Sequence, residues 1–215
     1  MKKRFLTHGL DNFDDHNVLE LLLFYAIPRK DVNPLAHELL DRFETLSGVF
    51  EASVEELKKV NGMGESTAIF LKLIPAASRR HMISRVSESV ILDSTTKAGE
   101  YLVPFFMYER DEVVLMICLD AKRKLLCCKE MGRGSVNAAE VRIRRIVEMA
   151  LSQNATSVIL SHNHTSGIAV PSMEDTITTM KIKSALEIVG VELCDHIVVA
   201  GDDYVSMADS GLMGT

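Results

Sequence analysis

Nowhere in the 215 residues does an apolar run approach the ~20 positions a membrane-crossing helix needs, so no transmembrane span is expected. No secretory leader is expected either: Met1-Lys2-Lys3-Arg4 is basic, but only Phe5-Leu6 follow before His8 and Gly9. The four cysteines, Cys118, Cys127, Cys128 and Cys194, make no Cys-x-x-Cys pair, which removes the zinc-knuckle and dithiol patterns. Three of them sit among apolar, strand-like residues, where a free thiol is a small core residue. A reducing, cytoplasmic setting is therefore expected. An excess of basic charge is also lacking, since 24 Lys+Arg stand against 30 Asp+Glu for a net −6. Residues 1–85 hold twelve of each sign, and the whole negative surplus falls in residues 86–215. That excludes a domain-wide attraction to nucleic acid, and any such contact has to be local. There is no internal repeat or low-complexity segment. What remains, 47% hydrophobic and 25% charged, is the balance of an ordinary globular protein long enough for two small domains.

The first part of the chain reads as helices only. Val18 to Ala26 is densely apolar and ends at Ile27-Pro28. Asn33-Pro34 reads as an N-cap with proline in the first helical turn, after which Leu35, Ala36, Leu39, Leu40 and Phe43 recur at helical spacing. Ser53 and Glu56 form a capping-box pattern for a short helix through Lys59, and Thr67 to Ser78 reads as another helix. Between these two lies Val60-Asn61-Gly62-Met63-Gly64, which resembles the turn of a helix-hairpin-helix module. Glycines there allow positive φ and present N–H groups at a helix N-terminus, where a phosphate can sit. Glu65 follows where a basic residue often stands and would repel a phosphate. Two readings stay open: DNA contact through Gly62 and Gly64, or a hairpin that only packs helices. The polar, basic stretch from Arg79 to about residue 90 reads as a linker, giving domains 1–85 and 86–215.

The second part changes texture. Asp93-Ser94-Thr95-Thr96 offers caps for a helix through about Phe106. Glu112 to Asp120 is a strand-length apolar run, Ala121 to Lys124 a polar turn, and Leu125 to Cys128 a returning strand. A helix over Asn137–Ser152, a strand over Thr156–Ser161, a helix over Ser172–Val189 and strands over Val191–Ala200 and Tyr204–Met207 complete a β-β-α-β-α-β-β order. This predicts an α/β domain with a mixed sheet behind a small all-helical domain.

The chemistry gathers after the third strand, in Ser161-His162-Asn163-His164-Thr165-Ser166-Gly167 and Pro171-Ser172-Met173-Glu174-Asp175. His162 and His164 are two apart, so in extended chain they point to one side. Asp175 falls in the first turn of the next helix. Two imidazoles and a carboxylate are how a catalytic zinc is held, with a fourth position left for water. The competing reading is structural: Ser172-x-x-Asp175 is nearly a capping box, and a helix start welcomes a carboxylate.

His162-x-His164 with Ser172-x-x-Asp175 after seven intervening residues, Thr165 to Pro171, resembles the JAMM (MPN+) metalloprotease signature. More narrowly, Ser161-His162-Asn163-His164, Ser166-Gly167, Pro171-Ser172 and later Gly190-Val191-Glu192-Leu193-x-Asp195-His196-Ile197 resemble the bacterial RadC family, which joins a helix-hairpin-helix region to a JAMM/MPN-like domain. The resemblance implies Zn2+ held by His162, His164 and Asp175. It implies Glu112 as general base, with Glu109 and Asp111 as neighbouring competitors, and Ser172 as a stabiliser of the tetrahedral intermediate. The implied reaction is hydrolysis of a peptide or isopeptide bond. The chain departs from the family pattern at Thr165, where proline is usual, at Ile168, where an acid is common, and at Arg142-Ile143-Arg144-Arg145, where a His-Pro-Arg-Glu run is common. The arginines read as a solvated helix face or as contacts to an acidic partner. A DNA-associated protein, in line with the repair connotation of the family name, and a metal-free MPN scaffold are the alternatives. The oligomeric state, a homodimer included, is left open, and no membrane partner is expected.

Overall fold

The computed structural model describes residues 1–85, 90–134 and 139–214. The chain divides into two compact units, Met1–Arg80 and His81–Thr215.

The first unit is helical. It contains α1 (Lys2–His8), α2 (Asp15–Ala26), α3 (Asn33–Phe43), α4 (Leu46–Glu51), α5 (Val54–Leu57) and most of α6 (Glu65–Arg85). Leu19 and Leu23 of α2, Leu35, Ala36 and Leu39 of α3, Val49 of α4, Leu57 of α5 and Leu71 of α6 build one apolar core. Fully burying a leucine contributes on the order of 1.5–3 kcal/mol, so these few side chains dominate the unit's stability. The Ser53–Glu56 capping box forms in both directions. Asn33 lies inside α3 with Val32 as the cap, one residue earlier than expected. The largest difference from the sequence reading is α6, which runs through Pro75 to Arg85, where a linker was expected from Arg79. The polar, basic residues from Arg79 lack the apolar spacing that marks a helix in sequence, so the reading ended at Ser78 while the helix continues.

The second unit opens with α7 (Thr95–Phe106), capped by Ser94 accepting from the Lys97 N–H. Then come β1 (Val113–Leu119), β2 (Leu125–Arg133), α8 (Ala139–Ser152), β3 (Ser157–Asn163), α9 (Met173–Ile188), β4 (Glu192–Ala200) and β5 (Asp203–Ser206). The sheet order is β2-β1-β3-β4-β5. β3 and β4 are parallel and joined by α9, while the other neighbours are antiparallel, so the sheet is mixed as expected. Alternation divides it into two faces. Met116, Cys118, Val158, Leu160 and Val198 pack with Ile146 of α8 and Ile182 and Leu186 of α9. Leu115, Ile117, Ile159, Ile197 and Val199 pack with Ala98, Leu102 and Phe106 of α7. β3 is buried along its whole length, which explains why it reads as a continuous apolar run.

Among the described residues no helix is long and apolar enough to cross a membrane, and all four cysteines are free. Arg144 pairs with Glu148, and Arg145 donates to the carbonyl of Met131, so both serve the helix surface and the β2 edge. The Arg142 side chain and the Ser135-Val136-Asn137 segment lie outside the described residues.

Candidate metal centre

β3 carries His162 on the sheet face covered by α8 and α9, and His164 follows directly after the strand. The next loop returns the chain to α9, whose cap is Ser172 and whose first turn contains Asp175. One ligand atom from each of His162, His164 and Asp175 lies within 4.8 Å of the others. His162 Nε2 is 3.0 Å from His164 Nε2 and 3.3 Å from Asp175 Oδ1, and His164 Nε2 is 3.4 Å from Asp175 Oδ2.

The capping box and the cluster are not alternatives. Asp175 Oδ2 accepts from the Ser172 N–H at 2.7 Å and the Ser172 hydroxyl at 2.6 Å, while the Asp175 N–H donates to Ser172 Oγ at 3.1 Å. The cap fixes the carboxylate's rotamer and so aims Oδ1 at His162. Burial by itself raises the Asp175 carboxyl. The Ser172 hydroxyl and N–H, both donating to Oδ2, favour the ionised form, which is held below the usual carboxylate range. An ionised carboxylate at neutral pH is what a cation site requires.

His164 Nδ1 lies 3.1 Å from the carbonyl oxygen of Ile168. A carbonyl only accepts, so the ring proton is on Nδ1 and Nε2 is bare. An imidazole lone pair and a carboxylate thus converge with His162 on one small volume, a donor set that fits a divalent cation with nitrogen and oxygen preference. Ile168, which departs from the family pattern, contributes here through its backbone, so its side-chain identity leaves this bond untouched.

Glu112 lies one residue before β1 and is exposed. Val114 pairs with His162 across the β1–β3 ladder, so Glu112, two positions earlier, is on the His162 face. A cavity of about 380 Å³ is lined by Glu112, His162, His164, Ser172 and Asp175 together with Glu174. The competing acids do not line it: Glu109 is bound by Arg133 at 2.5 Å, and Asp111 is exposed. Asn163 anchors the segment. Its Oδ1 accepts from the Val113 N–H at 2.7 Å, and its Nδ2 donates to the Asp111 carbonyl at 3.0 Å, so one side chain grips the backbone on both sides of Glu112. Sequence reasoning gave Asn163 no role. Its position between the two histidines was the available signal.

His196 and Thr179 were missed too. His196 is buried in β4, and its Nε2 is 2.8 Å from His162 Nδ1. Burial, reinforced by neighbouring His162, pushes its imidazole down to about 3. An unfolded histidine titrates near 6.5, so below that pH the unfolded chain binds a proton that the folded chain refuses. The stability this group contributes is complete above pH ~6.5 and declines as pH falls, by about 2 kcal/mol at pH 5. Urea unfolding of metal-free protein at pH 7.5 and pH 5 should show that loss, and His196→Gln should flatten the slope. An unchanged slope would show that another group causes it.

Gly62 and Gly64 belong to the helical unit, between α5 and α6. Gly62 has φ +87°, but Gly64 is outside the positive-φ region, so only one of the two glycines is demanded by the turn. Gly62→Ala should cost about 1–2 kcal/mol of that unit's stability, from left-handed backbone strain. Gly64→Ala, whose Cβ would meet open space, should be close to neutral in the same denaturation experiment. The Asn61 N–H faces a Glu38 carboxylate oxygen at 3.4 Å, and Glu65 lies 3.7 Å from Lys58. Carboxylates of Glu38 and Glu65 and ammonium groups of Lys30 and Lys58 therefore share the surroundings of the turn.

Comparison with known proteins matches residues 92–212 to the family model described as RadC-like JAB domain, and residues 2–69 to the model described as UPF0758 N-terminal. A UPF0758 protein of Rhodobacter capsulatus is 37% identical over 213 residues, covering 99% of this chain and 100% of that one. One from Ruegeria pomeroyi is 35% identical, covering 99% and 95% of the two chains. One from Methylibium petroleiphilum is 36% identical, covering 99% and 96%.

Proposed function

This chain belongs to the family of the RadC-like JAB domain, and on that premise we propose that it is a zinc-dependent hydrolase of peptide or isopeptide bonds. The observation that carries the reading is the convergence of His162, His164 and Asp175 on one point, in a cavity whose wall also holds Glu112. His162 Nε2, His164 Nε2 and an Asp175 oxygen would hold the ion. When bound, zinc supplies a Lewis acid that makes water a nucleophile near neutral pH.

The chain's own groups do the rest. Glu112 takes the proton of the attacking water and delivers it to the leaving amine, a task that needs an accessible carboxylate at the cavity wall. The hydroxyl of Ser172 donates to Asp175 Oδ2. The Ser172 N–H also holds Oδ2, so the hydroxyl proton is free to rotate to the oxyanion that develops on the substrate. Asn163 keeps Glu112 at a fixed height on the wall through its two backbone bonds.

A panel of fluorogenic peptides and lysine-isopeptide substrates tests the proposal. Cleavage by zinc-loaded protein should stop on chelation and return on adding zinc. A panel left intact by protein that demonstrably binds zinc would remove the hydrolytic reading and leave a metal-holding scaffold.

A further inference from the structure

We propose that Thr179 and His196 are positioning residues for the metal: a buried hydrogen-bond chain from the Asp175 backbone carbonyl through both side chains fixes the His162 proton on Nδ1 and presents its Nε2 lone pair to the ion. This inference rests on reading the His162–His164–Asp175 cluster as a metal site.

The direction of the chain follows from donors and acceptors. Thr179 Oγ1 is 2.6 Å from the Asp175 carbonyl oxygen. Two oxygens that close need a proton between them, and the carbonyl has none to give, so the hydroxyl proton points at Asp175. Thr179 Oγ1 is also 2.5 Å from His196 Nδ1. The hydroxyl has spent its only proton, so the proton in this second bond belongs to the His196 ring. A neutral imidazole carries one N–H, which leaves His196 Nε2 bare and accepting. Its partner at 2.8 Å, His162 Nδ1, must then be the donor. His162 is thereby left with a bare Nε2, the atom that faces His164 and Asp175.

The enclosure keeps this chain from reversing. Thr179 has no exposed surface and His196 is 5% exposed, so water does not compete for either nitrogen. The ring's partners are a hydroxyl oxygen and another imidazole, neither of which balances a charge, so the buried ring holds one proton. Metal-bound histidines ordinarily give their second N–H to a carboxylate, a carbonyl or water. Here a second imidazole takes that place, oriented in turn by a helix residue. The chain starts and finishes at Asp175: its backbone carbonyl orients Thr179, and its carboxylate meets the imidazole that Thr179 indirectly orients. β3, β4 and α9 are therefore tied to one metal geometry.

Zinc affinity, measured by competition with a fluorescent chelator at pH 7.5, tests the proposal without any substrate. Thr179→Val, which keeps the side chain's shape but loses the hydroxyl, should bind zinc about 10–100-fold more weakly than wild type. His196→Leu should do the same. Thr179→Ser and His196→Gln, which restore a hydroxyl and an acceptor, should recover most of the affinity. Nitrogen-15 spectra of the metal-free wild type should show His162 protonated on Nδ1. Wild-type affinity in folded Thr179→Val, or an Nε2-protonated His162, would overturn the positioning role. Absence of zinc binding by the wild type would overturn the metal-site reading itself. If His196→Leu fails to fold, the near-isosteric threonine variant and the wild-type spectra still decide.

Discussion

Glu112→Gln should leave zinc binding intact while lowering hydrolysis by about two to four orders of magnitude, the usual contribution of a positioned general base. Glutamine keeps the size and hydrogen bonding of glutamate but cannot accept the water proton. Glu112 lies before β1 and donates no ligand to the cluster, so its loss leaves the three donors where they are. The neighbouring acids supply the control. Glu109→Gln removes an ion pair with Arg133 and Asp111→Asn alters an exposed side chain, so each should stay within a few-fold of wild type. Rate and bound zinc measured on the same preparations separate the possibilities. Zinc loss in Glu112→Gln would make Glu112 a ligand or a structural support, and an unchanged rate would transfer the base role to another group, with Glu174 on the cavity wall the first to examine.

His164→Ala should abolish stoichiometric zinc binding without unfolding the chain. His164 is only partly buried, and among the described residues its side chain bonds, besides the cluster, to the Ile168 carbonyl. Structural zinc sites contribute on the order of 10–16 kcal/mol over their full ligand set, so removing one of three protein donors should weaken binding by about a thousandfold. A second readout comes from linkage. Zinc at 100 times its Kd should stabilise wild type by about 2.7 kcal/mol, and the same concentration should leave the His164→Ala melting curve where it is. Asp175→Ala should show both losses at once, because the residue is also the partner of the Ser172 cap, worth typically about 1 kcal/mol. Zinc stabilisation persisting in His164→Ala would place the ion elsewhere.

The candidate cluster was legible where its parts are local in sequence. His162-x-His164 lies at a strand end and Ser172-x-x-Asp175 at a helix start, and both patterns follow from backbone period. Their apparent rivalry between cap and ligand came from counting Asp175 once, whereas its Oδ2 and N–H serve the Ser172 cap and its Oδ1 faces His162. His196 was visible only as part of a family pattern, since its contact with His162 spans 34 residues and depends on β3 and β4 being parallel neighbours. Thr179 looks like any helical threonine until β4 is packed against it. In the helical unit, α1 and α4 went unread because seven and six residues are too few for a periodic signal. α6 was read short because the basic, polar run from Arg79 looks like a linker. Long-range pairing and tolerated exceptions to local propensity are what a single sequence does not display.

X-ray absorption at the zinc edge, on protein loaded with one equivalent of zinc, tests the central claim most directly. The account predicts two imidazole nitrogens at about 2.0–2.1 Å, oxygen at about 2.0–2.2 Å and no sulfur near 2.3 Å. A sulfur shell from any of the four free cysteines, or fewer than two imidazoles, would contradict the assignment of the ion to His162, His164 and Asp175.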